Sequence, residues 1–179
     1  MENFAWEWDV LQGLTAHVET GEPLPRTLFD RMVAARHFGA GLRMLRGVEY
    51  ALFDIRLHAE RGAGERIAAL AGEVEHEIAL LSRPAGDRWP NSFLHVFDGG
   101  YAAGYYGYHW AEVLSADAYA AFEEAAQQNG HSTLDVATGR RYRQAILEAG
   151  GSRPAMESFK AFRGREPSID ALLRHQGMS

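Results

Sequence analysis

Apolar side chains in this chain recur at steps of three and four, and the period-two alternation of a half-buried strand is nearly absent. That pattern restricts the fold to packed helices, so the expected class is all-α with little or no sheet. Met1 to Leu14 reads as helical, with Phe4, Trp8 and Leu11 on one face and Glu2 and Asp9 off it. Thr20 to Pro25 breaks the pattern, because Pro23 and Pro25 each bias the preceding residue away from helix. Leu28, Met32 and Ala35 then carry a helix to Phe38. Gly39 and Gly41 loosen the pattern before Leu42, Leu45, Tyr50 and Phe53 resume it to Ala59, as two helices or one kinked one. Glu65 to Leu81 follows, with Ile67, Leu70, Val74, Ile78 and Leu81 at helical spacing. After a loop from Arg83 to Ser92 and an informative stretch taken up below, Thr133 to Glu148 reads as helix and Gly150-Gly151 stops it. Pro154 to Phe162 and Ser168 to His175 close the chain, with Ser152 and Ser168 as candidate N-caps. The expectation is a single helical domain over residues 1–179.

Composition narrows the function classes. A net charge of −6 with no Lys/Arg-rich block argues against a surface that tracks nucleic-acid phosphates. The absence of cysteine rules out disulfides and thiolate metal ligands, and is compatible with a reducing, cytoplasmic setting. Glu2, Glu7 and Asp9 stand where a signal peptide would carry basic and then apolar residues. No apolar run approaches the roughly 20 residues that span a bilayer, so the expectation is a soluble protein. Phe4, Trp6 and Trp8 lie close to Met1, as though another segment packs on them; left exposed, they are a candidate self-association surface.

From Tyr101, the residues Tyr101, Tyr105, Tyr108, Glu112 and Ser115 follow steps of four and three, which on a helix places them in one polar stripe. Tyr106, Trp110, Val113 and Leu114 fall on the opposite face, expected to pack. A neutral phenol, with a pKa of about 10, donates hydrogen bonds at physiological pH. An array of phenols can therefore serve a substrate carbonyl and the oxyanion formed from it. On periodicity alone, half-buried packing tyrosines are the more ordinary reading. Gly99-Gly100, just before, suits either a close backbone approach to a ligand or a plain turn.

The string HVFDGGYAAGYYGYHWAEVLSADAY, from His95 to Tyr119, resembles the signature of the M3 metallopeptidases, the thimet oligopeptidase and oligopeptidase A family. The likeness extends to MENFAWEWDVL at the start and to the closing stretch from Gly139 to Met178, and is nearest the bacterial oligopeptidase A branch. The resemblance implies that Tyr108 donates to the tetrahedral oxyanion and that His95 is a second polar group beside the scissile bond. It also implies that Tyr101 and Tyr105 hold the peptide, while Gly99 and Gly100 form a mobile loop over it. Asp98 departs from the small neutral residue expected before the glycines.

That family hydrolyses short peptides with zinc held by a helix bearing H-E-x-x-H. The motif is missing here. His76-Glu77 is followed by Leu80 where a second ligand is needed, and the Glu73 to His76 spacing lacks the second copy a di-metal bundle requires. His17, His37, His58, His109, His131 and His175 are scattered without ligand spacing, and Arg140, Arg141 and Arg143 read as a solvated face or a carboxylate site. The resemblance therefore implies the C-terminal helical part of a larger zincin-type oligopeptidase, starting downstream of the zinc region. In that reading the zinc belongs to the full-length enzyme and none is held by this chain. Its partners would be short peptides and the N-terminal part of the same enzyme, and the chain alone would be inactive. The alternative is a free-standing, non-catalytic helical module that binds peptides or a protein.

Overall fold

The structure, a computed structural model, describes residues 2–130 and 132–178. Met1, His131 and Ser179 lie outside the described residues. Among those residues there are helices and turns and no strand, as the periodicity requires. In chain order the α-helices are α1 (Trp8–Leu14), α2 (Arg26–Arg36), α3 (Ala40–Ala59), α4 (Ile67–Ile78) and α5 (Leu94–Phe97). They are followed by α6 (Gly107–Asn129), α7 (Val136–Tyr142), α8 (Ala155–Arg163) and α9 (Asp170–His175).

Several boundaries differ from the sequence expectation, each for a local reason. The first segment is not one helix: a 3-10 turn, Glu2–Trp6, is separated from α1 by an extended Glu7. The Glu7 carboxylate accepts the Tyr119 hydroxyl at 2.6 Å. Gly39, at φ 66, makes α2 and α3 two helices, because the left-handed region is open to a residue without Cβ. α4 stops at Ile78, where Ala79 turns extended, leaving Leu80 and Leu81 exposed. α7 starts on Asp135, whose side chain accepts the Thr138 N–H, and the chain then continues as a π-helical turn, Arg143–Leu147. The caps of α8 and α9 are Pro154 and Ile169, neither giving a side-chain cap. Ser152 does not cap α8, and Ser168 instead accepts the Asp170 N–H from one position further out.

The chain gathers into two compact units: a first unit of Met1–Phe38 with Glu112–Ser179, and a central unit of Gly39–Ala111. The core of the central unit is built by Phe53 and Leu57 of α3, Leu70 and Val74 of α4, and Trp89, Phe93 and Val96. Burying each of these large side chains contributes about 1.5–3 kcal/mol. Glu49 is also buried there, and pairs with Arg83 through both carboxylate oxygens.

The first unit is centred on Tyr119, Phe122 and Phe162, with Phe4, Tyr142 and Ile146 packed against them. The aromatic N-terminal residues are half-buried here rather than exposed. Phe4 meets Tyr119 and Phe122 edge-on, Trp8 meets Phe29, and the Arg36 guanidinium lies 4.8 Å from the Trp6 ring. Asp117, fully buried, accepts hydrogen bonds from Arg163, Arg165 and the Ser168 N–H.

Candidate active-site tyrosine cluster

The cluster lies within the central unit and is assembled from turns as much as from helix. α5 ends at Phe97, and the chain folds back on its own carbonyls: the Asp98 and Gly99 N–H groups both donate to Leu94 O, and Tyr101 N–H donates to His95 O. Gly99 suits the position, since an added Cβ would lie 3.0 Å from the His95 Cα and crowd the end of α5. Gly100 takes φ 77. The glycine pair thus forms a tight turn that closes a short helix, the plainer of its two sequence readings.

The tyrosine stripe is not one helix. Tyr101 has no regular conformation, residues 102–106 form turns, and α6 begins only at Gly107. Of the expected five, Tyr108, Glu112 and Ser115 are helical, and Tyr101 and Tyr105 reach the cluster from the turn. The opposite face differs too: Tyr106 and Trp110, expected to pack, are 53% and 49% exposed, while Val113 and Leu114 are half-buried. Periodicity marks an apolar face without specifying what covers it.

His95 is nevertheless brought among the tyrosines. Its ring centroid lies 5.8 Å from Tyr101, 5.7 Å from Tyr105 and 5.8 Å from Tyr108. Tyr101 stacks on Tyr108 at 5.1 Å, and Tyr105 meets Tyr108 edge-on at 5.2 Å. Phe93 backs the group, 4.9 Å from Tyr105. Tyr101, Tyr108 and His95 are exposed and Tyr105 is half-buried, so the cluster is a surface of hydroxyls and an imidazole set on an aromatic wall. The Tyr108 hydroxyl is pushed up to about 12, first by its hydrogen bond with Tyr101, then by burial and by the neighbouring Tyr101 and Tyr105. It therefore stays protonated, and able to donate, across the neutral range.

Sequence reasoning missed Asp54. This carboxylate is fully buried, and its two oxygens accept the backbone N–H groups of Ala103 and Tyr105, each at 2.9 Å. The available signal was a charge inside the apolar stripe of α3, next to Phe53 and one turn from Leu57.

Metal chemistry finds no ligand set among the described residues. Among the described residues, no three His, Asp or Glu side chains come together in a group that could hold a metal ion. Glu73 pairs with Arg66, and four histidines are drawn into local packing and pairing. His58 bonds to Asp54, His175 to Glu123, the His17 ring accepts backbone N–H groups, and His109 lies against Gly47. The residues present do not fit a catalytic metal. Arg143 pairs with Glu148 at 3.3 Å, and Arg141 lies 5.8 Å from the Phe162 ring, so neither is set aside for a peptide carboxylate. No helix of the described residues is long and apolar enough to cross a membrane.

Peptidase family M3 matches residues 1–178, and the chain belongs to it. Similar proteins include Oligopeptidase A of Salmonella typhimurium, 47% identical over 99% of this chain and 26% of its own length. Oligopeptidase A of Escherichia coli is 46% identical over the same shares, and Saccharolysin of Saccharomyces cerevisiae is 31% identical over 99% of this chain and 24% of its own length. The chain thus spans about a quarter of the length of these relatives.

Proposed function

We propose that this chain is the substrate-facing C-terminal part of a zinc-dependent oligopeptidase that cleaves short peptides, in a cytoplasmic setting. In this reading residues 1–179 are one portion of the catalytic domain. The metal falls to residues outside this chain, since those present do not fit it, and what the chain supplies is hydrogen bonding and shape. Tyr108 donates to the oxygen that becomes negative when the peptide carbonyl is attacked, and a fixed donor aimed at developing charge lowers the barrier because it needs no reorganisation. His95 stands beside it as a second polar group. Tyr101 and Tyr105 hold the peptide, and Gly99 and Gly100 let the backbone approach it and move over it.

The observation that carries this reading is the convergence of His95, Tyr101, Tyr105 and Tyr108, from a short helix, a turn and the start of α6, into one cluster with rings about 5 to 6 Å apart. The exposed apolar residues Leu42, Leu45, Leu80, Leu81, Tyr106 and Trp110 are a surface that the N-terminal part of the same enzyme would cover. With Phe4, Trp6 and Trp8 half-buried, self-association through the aromatic start has little surface to work with.

The test restores the segment that precedes this region in the longer relatives and assays cleavage of short peptides. Tyr108→Phe in that enzyme is expected to lower kcat by about 10²–10³, as loss of one oxyanion donor does elsewhere, with KM nearly unchanged. Unchanged turnover would remove Tyr108 from the reaction. On the isolated chain, no peptide hydrolysis is expected.

A further inference from the structure

We infer that Asp54 is a positioning residue for the tyrosine cluster: from the core of the central unit its carboxylate holds the turn at Ala103 and Tyr105, and so sets where the three tyrosine rings stand. The inference rests on the proposed role of that cluster, and acts through residues that would touch substrate rather than touching it.

A carboxylate with no solvent exposure needs donors in place of water, and Asp54 has them from a distant part of the chain. Its Oδ1 accepts the Ala103 N–H and its Oδ2 the Tyr105 N–H, each at 2.9 Å, across 49 and 51 residues. His58, one turn further along α3, places Nδ1 2.9 Å from Oδ1 and 2.8 Å from the Asp54 carbonyl oxygen. Both neighbours are acceptors, so a neutral His58 carries its proton on Nδ1. The carboxylate is therefore fixed on one side by its own helix and grips the turn with the other.

What it grips is strained. Ala103, at φ 55, is the one non-glycine residue at positive φ among the described residues. That region brings Cβ against the backbone, and a residue stays there only where its surroundings demand it. The Ala103 side chain is exposed, so the demand comes through its N–H, which Asp54 holds, rather than through packing. Tyr101 precedes the gripped pair in the chain, Tyr105 is one of its two members, and Tyr108 follows it. Releasing the grip frees the turn that stacks Tyr101 on Tyr108.

The test reads the tyrosines directly on this chain, independent of any activity. Absorbance titration of the unmodified chain is expected to show a tyrosine that ionises at about 12, assigned to Tyr108 by its loss in Tyr108→Phe. Asp54→Asn leaves one N–H without its acceptor, and is expected to bring that ionisation down towards the ordinary value of 10.0, as the Tyr101 partner moves away. Ala103→Val attacks the same strut from its exposed end, where failure to fold is not at issue, because a β-branched residue opposes positive φ; it is expected to reproduce the shift. Ala103→Gly is expected to keep the high titration, and to restore it in part when added to Asp54→Asn. In the restored full-length enzyme, Asp54→Asn and Ala103→Val should each lower kcat/KM about 10²-fold, the scale of a small misplacement of reacting groups. Persistence of the high-pH tyrosine in either folded variant overturns the inference. If that titration shifts as expected while Tyr108→Phe leaves turnover intact, the positioning stands and the oxyanion role fails.

Discussion

Tyr108 meets two demands with one contact. Its hydroxyl must keep a proton to be a donor, and the hydrogen bond with Tyr101, with burial and the nearby phenols, holds it neutral up to about pH 12. Removing the partner should reverse most of this: Tyr101→Phe is expected to lower the ionisation of Tyr108 towards 10.0, measured by ultraviolet difference absorbance. A donor of this kind is lost only as pH rises, so the hydroxyl sets no acid limb on activity. Ala103 offers a second residue-scale prediction. At φ 55 a glycine is relieved of the Cβ clash, and Ala103→Gly should raise stability by about 0.5–1 kcal/mol, seen as a higher denaturant midpoint at unchanged slope.

At the scale of elements, α3 does most to place the site. One of its faces supplies Phe53 and Leu57 to the core, and Asp54 beside them supplies the hold on the tyrosine turn. Phe53, with no exposed surface among Leu70, Val74, Trp89 and Phe93, leaves a large void when truncated. Phe53→Ala is expected to destabilise by about 3–5 kcal/mol in thermal or denaturant unfolding. The apolar spacing from Leu42 to Phe53 made this helix legible in the sequence, as it did α2 and α4. The start of α6 was not legible, because Tyr101, Tyr105 and Tyr108 have helical spacing yet meet through a turn that a buried carboxylate holds. The steps of four and three picked out tyrosines whose rings do meet, though not along one helix face. Gly99-Gly100 could be read either way, and the structure shows the pair in a turn against the end of α5.

At the scale of the whole molecule, each unit buries an aspartate that is satisfied in its own way. The central unit buries Asp54 among backbone donors, while the first unit buries Asp117 among cations. Burial pushes the Asp117 carboxyl upward, but the hydrogen bonds from Arg165 and Ser168 N–H and the charge of Arg163 outweigh it and hold it below its ordinary 3.8. Glu123, paired with His175 and Arg174, and Glu124, paired with Arg163, are likewise held below 4.5. A carboxylate depressed in the folded state stabilises fully above its unfolded value, and that stabilisation disappears as pH falls through the folded one. The first unit should therefore loosen below pH about 4, read as faster amide exchange in α6 and α8 as acid is added. Asp117→Ala removes the partner of the buried Arg163 guanidinium and of the exposed Arg165, and should cost about 3 kcal/mol at neutral pH; a variant that unfolds at the original denaturant midpoint would show the network to be idle.

The sequence by itself determined the helical class, most of the helices and the family, because these rest on spacing of three and four residues and on a continuous string from His95 to Tyr119. It also named every member of the tyrosine cluster. Only the tertiary structure decided how they meet, that the glycines close a helix, that Tyr106 and Trp110 stand exposed while Phe4 and Trp8 pack, and that Asp54 holds the turn. The reason is range: a helix is closed by bonds four residues apart, whereas a side chain that reaches 49 residues along the chain leaves no period to read.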